Sequence, residues 1–213
     1  MKKENRKFLF IGTSFIILFV IWTLLVKYTD VRAIGPRDSQ VGFGLLNGSF
    51  HKMTGVHMSL YTVTDWLGLV PLFMGVIFAV TGLCQLIKRK NLLSVDFDIL
   101  ALGIFYVAVI FAYIFFEIHA VNYRPVLINN ILEVSYPSST TLLAMTFLPT
   151  AIMQIKIRIK NRFLCNLSAF FVGGLLVFMV IGRIISGVHW ISDIIGGAML
   201  GAGLDLIYYS FVR

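Results

Sequence analysis

Five uncharged apolar runs dominate the chain: Phe8 to Val26, Trp66 to Ile87, Ile99 to Phe116, Ser138 to Ile155 and Phe163 to Gly182. A sixth, Ile194 to Val212, holds a single charge at Asp205. Crossing a bilayer takes roughly 20 apolar helical residues, and lipid offers no partner to an irregular backbone, so each run predicts one transmembrane helix. With 58% hydrophobic and 13% charged residues in 213, a soluble domain is excluded. The fold class this implies is an all-α, six-span transmembrane helical bundle with both termini on one side of the bilayer.

The net charge of +8 comes from 18 Lys and Arg that fall mostly in short clusters between the runs, which marks topology and excludes a nucleic-acid interface. Lys2, Lys3, Arg6 and Lys7 precede the first run, Lys88 to Lys90 follow the second, and Lys156 to Arg162 follow the fourth. These segments and both termini are expected in the cytoplasm of a bacterial plasma membrane. The opposite connections carry only Arg124 and Arg183, plus four basic residues spread along the first loop, and face outward. The first run is too long for a secretory h-region and no small-x-small site follows closely, so it reads as a retained helix. Cys84 and Cys165, each inside an apolar run, are packing residues.

No repeat or low-complexity linker divides the chain, so residues 1–213 are expected to form a single membrane-embedded domain. Its outer loop, 27–65, contains an apolar stretch from Phe43 to Met53 suited to a short interfacial helix. His51, Lys52 and His57 in this loop read as solvated surface residues. Gly197 and Gly201 make a small-xxx-small pair in the sixth span, and Gly173 and Gly174 thin the fifth, which predicts close packing of these two helices. Asp205 is expected to serve as a structural hydrogen-bonder.

Once the cytoplasmic charges are set aside, the remaining polar residues gather at the outer ends of spans three to six. They are Glu117 and His119, Arg124-Pro125, the run Tyr136-Pro137-Ser138-Ser139-Thr140-Thr141, Arg183, and His189 with Asp193. Ionisable groups at membrane depth point to function. His189 and Asp193 are four residues apart, a spacing that on a helix lets the carboxylate orient one imidazole nitrogen and leave the other as a free lone pair. Arg124 and Arg183 offer forked donors matched to phosphate oxygens. Pro137 followed by Ser138, Ser139 and Thr140 marks a helix start, where free N–H groups and the positive dipole end favour an anion. Singly, an arginine there snorkels, Ser-Ser-Thr caps a helix and a histidine is hydrogen-bonded; together on one face they indicate a phosphoryl site.

At these residues the chain resembles the type 2 phosphatidic acid phosphatase superfamily, whose pattern is Lys, six residues, Arg-Pro; Pro-Ser-Gly-His; and Ser-Arg, five residues, His, three residues, Asp. The third part stands here as Gly182-Arg183, five residues, His189, three residues, Asp193. The first stands as Glu117, six residues, Arg124-Pro125, and the second as Pro137-Ser138-Ser139-Thr140. The resemblance implies His189 as nucleophile, Asp193 as its orienter, and Arg124, Ser138, Ser139 and Arg183 around the phosphate, with no metal or other cofactor. Where the family has a phosphate-binding Lys this chain has Glu117, and Thr140 replaces the His that protonates the leaving group. Glu117 and His119 are the candidate substitute acids, since a threonine cannot serve near neutral pH. Gly182 in place of Ser reads as the loss of one hydroxyl.

The expected function is a membrane lipid phosphatase acting on a lipid phosphate or an isoprenoid diphosphate, such as undecaprenyl diphosphate, through a phosphohistidine at the outer face. The partners are the phosphorylated lipid and the bilayer. A catalytically weak binder of lipid phosphates or of a partner protein is the alternative, supported by the two replaced motif residues. A carrier is disfavoured because the polar groups lie at one face and no inverted repeat is present, and a haloperoxidase because those enzymes are soluble.

Overall fold

The computed structural model describes residues 3–213. Six helical segments are long and apolar enough to cross a membrane: α1 (Lys3–Tyr28), α3 with α4 (Met58–Leu67 and Leu69–Arg89), α5 (Phe97–Ile118), α6 (Ser139–Arg158), α7 (Arg162–Ser186) and α8 (Ile191–Val212). The protein is an all-α multi-pass membrane protein, as the apolar runs predict. A two-stranded antiparallel ribbon, β1 (Arg32–Ala33) with β2 (Gln40–Val41), and the short α2 (Gly44–Thr54) follow α1.

The second span begins eight residues before the uncharged run that marks it, because Asp65 lies inside the helical segment. Its carboxylate accepts a hydrogen bond from Arg183 Nη2 at 2.7 Å, so the charge that ends the apolar run is paired within the bundle.

α6 is the central helix, packing on α4, α5, α7 and α8. Its polar residues are tolerated because Thr146 and Thr150 donate back to the carbonyls of Leu142 (2.8 Å) and Thr146 (2.7 Å), and Tyr106 Oη meets Thr150 Oγ1 at 3.0 Å. The glycines of α8 serve neighbours other than α7. A Cβ at Gly197 would stand 2.9 Å from the carbonyl of Ser138, which caps α6, and one at Gly201 2.6 Å from Met145 Cβ on α6. Gly203 meets α1, where a Cβ on Gly12 would lie 2.9 Å from the Gly203 carbonyl. Gly173 and Gly174 face open space. The expected α7–α8 contact is thus replaced by α6–α8 and α1–α8 contacts: small residues reveal that helices approach closely, not which ones. Asp205 is no hydrogen-bonder either, since its Oδ1 is buried without a partner.

At the basic end, Arg158 on α6 bonds Asp98 in the first turn of α5 (2.8 Å), and Arg89 at the end of α4 bonds Asp96 in the α4–α5 connection (2.8 Å). The other end carries the connections that matter for chemistry. Residues 119–138 form a small hairpin, with bridges Tyr123 to Val134 and Ile128 to Ile131 and a tip at Asn129 and Asn130, both at positive φ. α2 locks beneath α8 through Asn47, which donates to Ser192 Oγ (2.9 Å) and accepts from Ser192 N (3.2 Å).

Candidate active site

His189 occupies the short link between α7 and α8. Gly187 makes this link possible: its φ is 65° and a Cβ there would sit 1.8 Å from the Gly55 carbonyl. The imidazole is 4% exposed. Its Nδ1 lies 3.2 Å from the Ser135 carbonyl and 3.0 Å from Ser135 Oγ, while Nε2 lies 3.1 Å from Arg124 Nη1. A guanidinium only donates, so Nε2 is the acceptor and the proton resides on Nδ1. The lone pair therefore faces Arg124. Burial, then the charges of Arg124 and Arg183, hold the imidazole well below the usual histidine range.

Asp193 sits in the first turn of α8, fully buried, with its carboxylate accepting from Ser135 Oγ (2.5 Å), Asn122 Nδ2 (3.1 Å), Trp190 N (3.1 Å) and Ser192 Oγ (3.3 Å). No direct hydrogen bond joins it to His189. The histidine precedes α8, so the two do not share a helical face; Ser135 stands between them, accepting from Nδ1–H and donating to Asp193. Ser135 and Asn122 are components that the spacing of charged residues does not reveal.

The two arginines come from opposite walls. Arg124, on the hairpin, donates its backbone N–H to the Glu133 carbonyl (3.0 Å) and places Nε 3.0 Å from Glu133 Oε2, close enough for an ion pair but misaligned for a hydrogen bond. Arg183, on α7, is fully buried. Its Nη2 donates to Asp65 Oδ1 and to Thr140 Oγ1, while Nε and Nη1 have no partner. The Tyr61 ring lies under both guanidinium groups, 4.8 Å from Arg183 and 5.6 Å from Arg124.

A cavity of about 350 Å³ opens in front of Arg124 and His189, with Ser135, Ser139 and the exposed Glu117 also on its wall; Arg183 stands off that wall, bonded to Asp65 and packed on Tyr61, which line it. Ser139 faces it from the first turn of α6. Ser138 is committed to structure: its Oγ accepts from Thr141 N (3.4 Å) and Thr141 Oγ1 (3.0 Å), and its N–H donates to the Asp193 carbonyl (3.0 Å). Thr140 turns toward Arg183. His119 is exposed and lies off the cavity wall, its ring stacked on Phe115 with Nδ1 2.9 Å from the Phe115 carbonyl. Gly182 has no room for a hydroxymethyl group, since a Cβ would approach Thr64 Cγ2 at 2.6 Å. In the outer loop, His51 packs edge-on against Trp190 at 5.4 Å and His57 Nε2 lies 3.0 Å from the Thr54 carbonyl, so neither reaches the cavity.

A buried histidine and two buried arginines at one end of a six-span helical bundle define a membrane protein built around an anion-sized polar cavity. The PAP2 superfamily model matches residues 101–213, more than half of the chain, and the protein belongs to that superfamily. Its fold is similar to the crystal structure of the first transmembrane PAP2 type phosphatidylglycerolphosphate phosphatase from Bacillus subtilis, with a TM-score of 0.63 and 18% identity over 94% of each chain. At that identity the likeness is one of fold. No curated protein matches the chain.

Proposed function

We propose that this protein hydrolyses phosphorylated membrane lipids at the outer face of a bacterial plasma membrane, through a covalent phosphohistidine at His189. The observation that carries the reading is the Nε2 lone pair at a cavity walled by Arg124, with Arg183 buried behind Asp65 and Tyr61; Nε and Nη1 of Arg183 lack hydrogen-bond partners, and Arg124 Nε meets only the misaligned Glu133 carboxylate. Unsatisfied buried donors are costly, and a phosphoryl group supplies the acceptors they lack. In this reading Nε2 attacks phosphorus, Arg124 and Arg183 neutralise the equatorial oxygens, Ser139 and the start of α6 hold the third side, and Asp193 acts through Ser135 to keep the proton on Nδ1. Ser138 contributes by shaping the helix start. Assay of the purified protein against a panel of phospholipid and isoprenoid phosphates tests the reading; release of phosphate that depends on His189 supports it, and no release from any member contradicts it.

The second reading, a lipid-phosphate binder without turnover, is favoured by one feature: Asp65 and Glu133 already occupy part of each guanidinium. Binding of lipid phosphates with no phosphoenzyme and no product is its signature.

The outward placement rests on the basic residues at the opposite end of the bundle. A cysteine replacing Leu93, which is 88% exposed on the α4–α5 connection, is expected to resist a membrane-impermeant thiol reagent in intact cells and to react once the membrane is opened. Labelling in intact cells contradicts the orientation.

Because the imidazole is held well below its usual range, its base form, which carries the nucleophilic lone pair, persists as pH falls past the ordinary histidine value of about 6.5. The acid limb of kcat/KM is expected well under that value. A limb at or above it means that the reacting histidine is not desolvated as described.

The leaving group separates possible substrates. Thr140 cannot donate a proton, and His119 is turned away, which leaves Glu117 as the only one of the three on the cavity wall. An alkoxide departs with difficulty without an acid, whose help contributes a factor of roughly 10²–10⁴, whereas a phosphate leaves a diphosphate as a weakly basic anion. Among lipids without other ionisable groups, kcat/KM is expected to be higher for an isoprenoid diphosphate than for the matched monophosphate. Equal rates, or a monophosphate preference, would show that Glu117 or another group supplies the proton and would contradict the diphosphate preference.

A further inference from the structure

A phosphohistidine is cleared by water, and the groups that hold the phosphoryl moiety do not help that water react: Arg124 and Arg183 only donate, and His189 carries the phosphorus. Displacement at phosphorus runs roughly in line, so the water enters away from Nε2, through the space the leaving group has vacated. Three carboxylates border the cavity, Asp65, Glu117 and Glu133. Glu133 is paired to Arg124, the arginine that meets Nε2, and so stands on the nucleophile's side. Glu117 is exposed, and no hydrogen bond among the described residues fixes its carboxylate. Asp65 belongs to the other wall, beside Arg183.

Asp65 is anchored on one side and wet on the other. Its Oδ1 accepts from Arg183 Nη2 (2.7 Å), and that arginine is fully buried, so the carboxylate is tied to a rigid partner. Oδ2 accepts no hydrogen bond among the described residues, and the side chain is 54% exposed where it lines the cavity, which gives water access to it. The same Nη2 donates to Thr140 Oγ1, and a Cβ on Gly68, just past Asp65, would lie 3.8 Å from Thr140 Cγ2. The end of α3 is therefore packed against the first turn of α6, beside Ser139. That helix start is where the phosphoryl group is proposed to sit.

We propose that Asp65 is the general base of the second step, taking a proton from the water that hydrolyses the phosphohistidine. This rests on the phosphatase reading of the same site and adds a catalytic residue to it. The water oxygen bonds to phosphorus, the P–N bond breaks and its electron pair returns to Nε2. One water proton goes to Asp65 Oδ2, hydrogen phosphate leaves, and the proton then passes from Asp65 to solvent. Asp65 takes no part in the first step: as the carboxylate partner of a guanidinium it accepts, and it has no proton for the leaving group. The expected diphosphate preference is therefore unchanged. A positioned base contributes a factor of roughly 10²–10⁴.

The test compares the full-length protein with Asp65→Asn in detergent by quenched flow, using an isoprenoid diphosphate labelled in its terminal phosphate. Asparagine keeps an oxygen for Arg183 but cannot take the proton. The variant is expected to release about one equivalent of lipid monophosphate in a burst at the parent's rate and then to stall with the label on His189. Its kcat should fall by roughly 10²–10⁴. Its kcat/KM should stay within a few-fold of the parent, because that ratio reports only the steps up to the phosphoenzyme, so KM falls with kcat. Asp65→Glu, which keeps the carboxylate and displaces it, is expected to show the same split with a smaller loss, and it decides the matter alone if Asp65→Asn does not fold. A kcat/KM that falls in step with kcat marks Asp65 as a binding, structural or proton-donating group and overturns the proposal. A labelled His189 in the parent with kcat unchanged in the variants overturns the proposal and leaves the phosphatase reading intact. No label on His189 in parent or variant defeats that reading, and the proposal with it.

Discussion

Replacement of His189 by Ala is expected to reduce turnover of every lipid phosphate to background, a loss on the order of 10⁶ if His189 is the nucleophile, as removal of a covalent nucleophile produces elsewhere. The remaining groups of the cavity would still bind phosphate, because Arg124 loses only its contact to Nε2 while keeping Glu133, and Arg183 does not depend on the imidazole. Lipid-phosphate affinity in the variant should therefore stay within a few-fold of the parent while kcat collapses. Loss of both would mean that the histidine organises the arginines instead of attacking phosphorus. Survival of turnover in the folded variant would remove the covalent route altogether.

Asp193→Asn is expected to have the next largest effect, about 10³–10⁴ in kcat, by the tautomer logic known from catalytic triads. The carboxylate accepts from four donors, Ser135 among them. An amide in its place turns one acceptor into a donor. If its NH₂ faces Ser135, the hydroxyl rotates to donate to Nδ1, the imidazole proton moves to Nε2, and the lone pair at the cavity is lost. Ser135→Ala is the milder companion, because the Ser135 carbonyl remains 3.2 Å from Nδ1 and still holds the tautomer; a loss of about 10–10² is expected, comparable to removal of one charge-coupled hydrogen bond. Steady-state kinetics on the two variants, with thermal unfolding to establish folding, check the order. A larger loss for Ser135→Ala than for Asp193→Asn would show that Asp193 serves the α8 terminus alone.

The bundle was readable because lipid punishes unpaired backbone, which leaves apolar length as a nearly sufficient code for a span. The reading failed where a charge is neutralised by a distant partner: Asp65 ends an apolar run in the sequence yet lies in a helix, paired to Arg183 118 residues away. It failed again for the α8 glycines, since Gly197, Gly201 and Gly203 announce close approach but take α6 and α1 as partners. His189, Asp193, Arg124 and Arg183 stood out as charges at the outer ends of spans, and the structure gathers all four. Ser135 and Asn122 carry no such mark, being ordinary polar residues in a loop. Only the folding of the 119–138 hairpin against the start of α8 gives them a role, through Asn122 to Asp193 and Ser135 to both His189 and Asp193. Glu117 was visible as a departure from a motif; the structure leaves it exposed on the cavity wall, with no ion pair among the described residues, while Asp65 and Glu133 are paired to Arg183 and Arg124.

The covalent step at His189 is tested most directly by rapid quench of the purified protein with a ³²P-labelled lipid phosphate, followed by peptide mapping. The account predicts a phosphoryl group that is stable to alkali and lost in acid, located on the peptide containing His189, and absent from His189→Ala. Turnover with no trapped phosphoenzyme under conditions where hydrolysis of the intermediate is slowed, or label on any other residue, would contradict it.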